Sequence, residues 1–227
     1  MEALAVLISG GLDSAILLGD VLRLHPSVFP LYIRCGLYWE AAELDALAGY
    51  LDAVRCPALG HLAVLDQPVA DLYRDHWSIT GKGVPDANTA DEAVYLPGRN
   101  VLLISKALLW CHLHRIPALA LGSLGTNPFP DAQPSFFKSL QDVLNQSVAG
   151  HVTLRIPFAG MEKTAVMRLG AGLPLEFTFS CIHPNQGGHC GQCNKCAERR
   201  RAFVDAGRSD LTAYANVDES GQNSSSA

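Results

Sequence analysis

Apolar residues along the chain fall into short continuous runs that alternate with stretches of helical spacing. The short runs are bounded by glycine, proline or polar residues, which is typical of buried strands. They predict strands at residues 3–8, 28–34, 61–65, 117–122 and 152–157. The longer stretches place apolar residues three or four positions apart, and they predict helices at residues 14–24, 40–54, 100–112, 135–149 and 162–169.

Strands that alternate with helices of this length indicate β-α-β units with right-handed crossovers. The sequence therefore predicts an α/β protein with a doubly wound, mostly parallel, Rossmann-like sheet. Ligands of such sheets bind at the carboxyl ends of the strands. Residues 66–97 show little periodicity and contain two glycines and three prolines, so they are predicted to form a functional loop or lid.

Composition and charge narrow the class of protein. A chain of 227 residues with 48% hydrophobic and 17% charged residues is expected to fold as one soluble domain, and no apolar run approaches the ~20 residues that span a bilayer. The net charge of −5 argues against binding to nucleic-acid backbones or anionic membranes. We expect a cytoplasmic protein.

The hexapeptide Ser-Gly-Gly-Leu-Asp-Ser at residues 9–14 lies between the first predicted strand and helix. Small residues let the backbone approach a ligand there, and the helix N-terminus offers free N–H groups, so the position suits a phosphate. The spacing fits neither the Walker motif nor the dinucleotide fingerprint. The alternative is a tight turn in which Asp13 or Ser14 caps the helix. The hexapeptide resembles the loop of the PP-loop ATP pyrophosphatases, which holds the pyrophosphate part of ATP.

Four of the seven cysteines crowd into one short segment, which indicates a metal centre rather than disulfides. Cys181, Cys190, Cys193 and Cys196 are the predicted ligands. Four sulfurs close a structural zinc site, and an iron–sulfur cluster is the alternative. His183 and His189 lie in the same loop, but four sulfurs suffice without them. The neighbouring arginines 199–201 point around a helix and are predicted to be solvated or paired at an interface.

Further blocks extend the match. Residues 96–100 read Leu-Pro-Gly-Arg-Asn, residues 130–131 read Pro-Asp, and residues 178–181 open the cysteine segment. With the hexapeptide, these blocks resemble the 7-cyano-7-deazaguanine synthase family in the same order, from about residue 3 to residue 208. The resemblance implies an adenine nucleotide alpha hydrolase-like fold and a homodimer. It also implies conversion of 7-carboxy-7-deazaguanine and ammonia to the nitrile, with ATP and Mg²⁺, in queuosine or related deazapurine biosynthesis.

The resemblance also suggests the site residues. The ATP-binding residues are predicted to be Ile8, Ser9, Gly10, Gly11, Leu12, Asp13 and Ser14, and the catalytic residues Asp13, Arg99, Asp131 and Lys163. The alternatives are solvated charges at helix starts for Arg99 and Lys163, and a turn residue for Asp131. The predicted organisation is an ATP-binding domain over residues 1–175, a zinc segment with a terminal helix over residues 176–208 and a disordered tail over residues 209–227.

One departure from the family concerns the acceptor. The family usually carries tyrosine-glycine-glutamine and basic residues after its second strand, where this chain has Cys-Gly-Leu-Tyr-Trp at residues 35–39. Ala132 also replaces the family's cysteine after Pro-Asp. Three alternatives therefore stay open: a paralogue that adenylates another small carboxylate, an RNA-modifying PP-loop enzyme, and a zinc-stapled binding module without activity.

Overall fold

Five parallel strands form one sheet in the computed structural model, which describes residues 2–215. The strand order is β3-β2-β1-β4-β5. The strands are β1 (Leu4–Leu7), β2 (Val28–Arg34), β3 (Ala63–Asp66), β4 (Ala118–Leu121) and β5 (Thr153–Arg155). The predicted doubly wound α/β fold is confirmed, and every strand pair is parallel.

Helices connect the strands and cover both faces of the sheet. They are α1 (Leu12–Leu22), α2 (Glu40–Ala53), α3 (Ala70–Tyr73), α4 (Trp77–Thr80), α5 (Arg99–Leu113), α6 (Pro134–Ser147), α7 (Lys163–Leu169) and α8 (Asn194–Asp205). Short 3₁₀ turns occupy Asp91–Val94, Pro130–Ala132 and Leu175–Phe177. Over the described part of the chain, no helix is long and apolar enough to cross a membrane.

The central strand β1 divides the hydrophobic core into two layers. Leu4 and Val6 pack in the layer built on α1, α2 and α7, whereas Ala5 and Leu7 pack in the layer that contains α5. Successive side chains of a strand point to opposite faces, so a strand between two helical layers must be apolar throughout. This explains why β1 reads as a continuous apolar run.

The strand order reverses at β1, whose neighbours are β2 on one side and β4 on the other. The connections that leave such a point run to opposite faces of the sheet, which opens a crevice at the carboxyl ends of the strands. The candidate site described below lies in this crevice, between the ends of β1 and β4.

The predicted loop or lid at residues 66–97 contains α3 and α4, and contacts near its middle hold it against the rest of the protein. Trp77 stacks on Trp39 with 5.8 Å between the ring centroids. Farther along, the backbone N–H of Asn194 donates to the carbonyl of Pro85 at 3.0 Å. Residues 66–97 therefore contact Trp39, the residue before α2, and Asn194 in the cysteine segment.

The beginning of the predicted tail packs against the cysteine segment. Arg199 donates from Nε to the hydroxyl of Thr212 at 2.7 Å, and the N–H of Ala215 donates to the carbonyl of His189 at 2.8 Å. Residues 209–215 therefore belong to the folded part of the chain, because Thr212 accepts a hydrogen bond from the buried Arg199 and Ala215 donates one to His189. The remainder of the predicted tail lies outside the described residues.

Candidate active site and metal centre

A cleft of about 290 Å³ lies at the carboxyl ends of β1 and β4. It brings together most of the residues that the sequence predicts for the site. The predicted residues that line it are Ile8, Ser9, Gly11, Leu12, Asp13, Ser14, Arg99 and Lys163. Gly10 and Asp131 are not among the lining residues, and each plays a supporting part described below.

The loop at residues 9–14 is closed by its two serines. The N–H of Ser9 donates to the hydroxyl of Ser14 at 3.2 Å, and the N–H of Gly11 donates to the hydroxyl of Ser9 at 3.4 Å. Gly10 has φ of +80°, a conformation that favours glycine. The N-cap residue of α1 is Gly11, which has no side chain to accept a hydrogen bond from the first turn of the helix. The N-terminus of α1 is therefore available to an anion, an arrangement that phosphate-binding loops share.

The end of β4 packs directly on this loop at Gly122. A Cβ atom on Gly122 would lie 3.1 Å from the carbonyl oxygen of Asp13 and 3.3 Å from the backbone nitrogen of Ser14. A side chain there would push against the first turn of α1. Glycine at this position keeps the loop and β4 in contact and leaves the floor of the cleft open.

Lys163, the first residue of α7, reaches the loop from the far side of the cleft. Its Nζ lies 2.7 and 2.9 Å from the two carboxylate oxygens of Asp13 and 4.0 Å from Oε1 of Glu198. Glu198 also pairs with Lys195. Burial acts to raise the pKa of Glu198, but the positive charges of Lys195 and Lys163 outweigh burial, so the pKa is lowered. Two carboxylates and two lysines thus form one charged network along the cleft.

Arg99 begins α5 and carries a positive charge that no side chain neutralises within residues 2–215. Its guanidinium lines the cleft, and its Nε is buried without a hydrogen-bond partner. A buried donor without a partner costs on the order of 1–3 kcal/mol. The arrangement suits an anionic ligand, such as a phosphate or a carboxylate, that would satisfy the guanidinium.

Asp131 supports Arg99 from outside the cleft. Its carboxylate accepts the N–H of Asn100 at 3.0 Å, and the side-chain amide of Asn100 donates back to the carbonyl of Asp131 at 2.9 Å. These bonds fix the first turn of α5, where Arg99 lies. The structure thus gives Asp131 a positioning role, and the Pro-Gly-Arg-Asn and Pro-Asp blocks meet there.

The segment at residues 35–39, which departs from the family, forms part of the cleft wall. The carboxylate of Glu40 accepts the N–H of Cys35 at 2.6 Å and that of Gly36 at 2.8 Å, which holds the turn before α2. Trp39 lines the cleft, and burial raises the pKa of the Cys35 thiol to about 11. Five charged or hydroxyl-bearing residues that the sequence did not predict also line the cleft: Tyr32, Glu40, Glu43, Lys195 and Glu198. Arg199 lines it as well, as a buried cation.

The four predicted metal ligands converge on one point. Their sulfur atoms all lie within 4.8 Å of one another, with 3.8 Å between Cys181 and Cys193 and 4.0 Å between Cys190 and Cys196. Zinc–sulfur bonds of about 2.3 Å in a tetrahedron place the sulfurs about 3.8 Å apart. The cluster therefore fits a four-coordinate metal with no position left for water.

Backbone N–H groups point at the same sulfurs. The N–H groups of His183 and Cys190 donate to Cys181 Sγ, and those of Gln192 and Cys193 donate to Cys190 Sγ, each at 3.3 Å. Such bonds favour thiolates, the form that binds metal. His189 is directed elsewhere, because its Nε2 accepts the N–H of Ser180 at 3.1 Å.

Comparison with known proteins agrees with this arrangement. The family model described as queuosine biosynthesis protein QueC matches residues 3–207. The chain belongs to the QueC family. The resemblance predicted from the loop, the cysteines and the intervening blocks is therefore confirmed.

Members of the QueC family with a similar length align over nearly the whole chain. A 7-cyano-7-deazaguanine synthase of Methanothrix thermoacetophila is 29% identical over 225 residues, which cover 92% of this chain and 96% of that protein. A 7-cyano-7-deazaguanine synthase of Anaeromyxobacter dehalogenans is 30% identical over 230 residues, which cover 92% and 94%. The residues of the cleft and of the metal centre all lie within the matched range.

Proposed function

We propose that this chain is an ATP-dependent ligase that converts 7-carboxy-7-deazaguanine and ammonia to 7-cyano-7-deazaguanine. The family membership and the names of the relatives support the product. The observation that carries the ATP chemistry is the single cleft in which the open N-terminus of α1 faces Arg99 and Lys163. These are anion-binding groups of the kind that hold pyrophosphate.

The proposed reaction takes two rounds of activation. The carboxylate oxygen attacks the α-phosphorus of ATP, pyrophosphate leaves, and ammonia displaces AMP to give the amide. The amide oxygen then attacks the α-phosphorus of a second ATP, pyrophosphate leaves again, and loss of AMP and of the two amide protons gives the nitrile. Both substrate oxygens therefore end in AMP, and two ATP are consumed for each nitrile formed.

Residue roles follow from the positions in the cleft. The loop at residues 9–14 would hold the β- and γ-phosphates, and Lys163 would take up charge as pyrophosphate departs. Asp13, bonded to Lys163, would orient that lysine or help to hold Mg²⁺, which would offset negative charge on the phosphates. Arg99 would bind the acceptor carboxylate or a phosphate.

The four cysteines would hold one Zn²⁺ ion in a structural site. A buried cluster of four sulfurs suits zinc better than magnesium or calcium, which prefer oxygen ligands. Metal analysis of purified protein tests this directly. One zinc per chain and no visible-region absorbance would support it, whereas iron with sulfide would favour the cluster alternative.

A steady-state assay tests the reaction. Purified protein is incubated with ATP, Mg²⁺, ammonium and a panel of small acids, and AMP, pyrophosphate and the organic product are quantified. We expect two AMP per nitrile with 7-carboxy-7-deazaguanine. Turnover with another heterocyclic acid and none with this one would favour the paralogue, which the changed segment at residues 35–39 would explain.

A further inference from the structure

Glu43 is a buried carboxylate on the wall of the cleft whose two oxygens differ in their contacts. The residue is only 7% exposed, yet it lines the cleft beside the loop at residues 9–14. Its Oε2 accepts the hydroxyl of Tyr32 at 2.6 Å. Within residues 2–215, no hydrogen bond reaches Oε1. One oxygen of a buried acid is therefore left open toward the cleft.

No nearby cation or backbone group accounts for that open oxygen. Glu40, the other acid on this wall, is satisfied by the backbone N–H groups of Cys35 and Gly36. Arg99 lines the same cleft, but in the described part of the chain it forms no ion pair with Glu43 within 4 Å. Burial raises the pKa of Glu43 to about 7, against the opposing influence of Arg99 and the Tyr32 hydrogen bond. Within the described residues, Oε1 of Glu43 therefore has no hydrogen-bond donor, and it is available to a donor on a ligand.

The partner must donate hydrogen bonds and fit between apolar surfaces. A carboxylate oxygen is an acceptor, and it repels the phosphates and carboxylates that Arg99 and α1 attract. Ile33, Trp39 and Leu103 add apolar and aromatic surface to the same cleft. A flat nitrogen heterocycle with an exocyclic amino group combines both properties, whereas a sugar or an aliphatic acid does not.

We propose that Glu43 determines specificity by accepting the N–H edge of a purine-like ring. This inference rests on the proposed function, in which two such rings enter the cleft. The donor is either the 6-amino group of ATP or the 2-amino-pyrimidinone edge of the deazapurine acid, and both offer the same chemistry to the open oxygen. Tyr32 is then a positioning residue, because its hydroxyl fixes the other oxygen of Glu43.

The test removes the carboxylate and the amino group in turn. Glu43→Gln keeps the size of the side chain and replaces a charged acceptor with an amide. ATP is compared with purine riboside triphosphate, which lacks the 6-amino group, and the deazapurine acid is compared with its analogue that lacks the 2-amino group. For one pair, wild type should prefer the amino compound by about 10- to 100-fold, and Glu43→Gln should lose most of that preference. The pair that responds identifies the ring.

Controls separate recognition from folding and from the proposed function. Tyr32→Phe leaves Oε1 in place and should keep a preference for the amino compound, and thermal unfolding checks that each variant is folded. If Glu43→Gln does not fold, Glu43→Asp, which keeps the charge but withdraws it by one methylene, takes its place. Binding is measured by calorimetry, so the ligand pairs are compared even if no nitrile forms and the proposed function fails. Unchanged preferences for both pairs in the folded variant would overturn the role of Glu43.

Discussion

The backbone N–H of Phe179 donates to the carbonyl oxygen of Gly10 at 2.8 Å. Phe179 lies two residues before Cys181, the first residue of the four-cysteine cluster, and Gly10 lies within the loop at residues 9–14. The metal centre and the loop are therefore joined through one hydrogen bond and a short stretch of chain. A change at either end is expected to reach the other.

Loss of the metal should weaken nucleotide binding as well as stability. Cys196→Ser breaks the four-sulfur set, and a structural metal contributes directly to folding free energy. We expect a melting temperature lower by about 10 °C or more and an ATP affinity weaker by roughly tenfold. Cys56→Ser, outside the cluster, is the matched control and should change neither quantity. Unaltered ATP affinity in folded, metal-free protein would contradict the coupling.

Removal of Lys163 should impair turnover far more than folding. Lys163→Met leaves Asp13 without its partner at 2.7 Å and removes the cation expected to face the departing pyrophosphate. Loss of such a group costs about 100-fold or more in kcat. Lys138→Met disrupts a surface pair of similar length, 2.8 Å to Asp142, and should alter kcat less than twofold. Equal kcat values in the two variants would show that Lys163 is an ordinary surface charge.

The raised pKa of Glu43 predicts a pH dependence of stability. The pKa is about 7 in the folded chain and near 4.5 when unfolded, so between these values the folded state holds a proton that the unfolded state has lost. Stability should therefore fall as pH rises through this window, by about 3 kcal/mol for this group. Tyr32, Glu40 and Arg99 are the charged or titratable groups that face it.

Glu43→Gln isolates this contribution. Urea unfolding of wild type and variant at pH 5 and pH 8 gives the difference in unfolding free energy at each pH. From pH 5 to pH 8, the unfolding free energy of the variant should rise by about 3 kcal/mol relative to that of wild type. A difference that does not change with pH would mean that the carboxylate titrates in its ordinary range.

Arg199 is expected to stabilise the fold through hydrogen bonds. It is 1% exposed, and its guanidinium donates to Leu175, Thr178, Ser180 and Thr212. Arg199→Lys cannot reproduce this planar set of donors and should cost about 3 kcal/mol in urea unfolding. Arg201→Lys, at an exposed side chain paired with Asp91 at 3.6 Å, should cost less than about 0.5 kcal/mol. Similar losses of unfolding free energy in Arg199→Lys and Arg201→Lys would contradict the stabilising role of Arg199.

The strands and helices were predictable because local pattern encodes them. β2 has the predicted bounds, and α5 begins at Arg99, one residue before its predicted start. The cysteine cluster and the loop were predictable for the same reason, since the residues of each are close in sequence. Arg199 was predicted to be solvated or paired at an interface, and the prediction that it is solvated is wrong. It is buried, and its hydrogen-bond acceptors lie at residues 175–180 and 212, which no local pattern connects to it.

The site residues that the sequence did not predict are brought to the cleft by long-range contacts. Glu43 and Glu198 face solvent or core according to how α2 and α8 are rotated, and neither helix reveals this from its own sequence. Lys195 and Glu198 lie on either side of Cys196 in α8, and they reach the cleft from that helix. The carboxyl edge of the sheet could be predicted as the ligand site, and Lys163 could be predicted from the family resemblance. The contact between Lys163 and Asp13, which lie 150 residues apart, could not.

The proposed function requires this cleft to transfer AMP from ATP onto the oxygens of an acid. The most direct measurement uses 7-carboxy-7-deazaguanine labelled with ¹⁸O in its carboxylate, followed by mass spectrometry of the products. We expect one labelled oxygen in each of the two AMP molecules formed per nitrile. Label recovered in inorganic phosphate, pyrophosphate or water instead would contradict it.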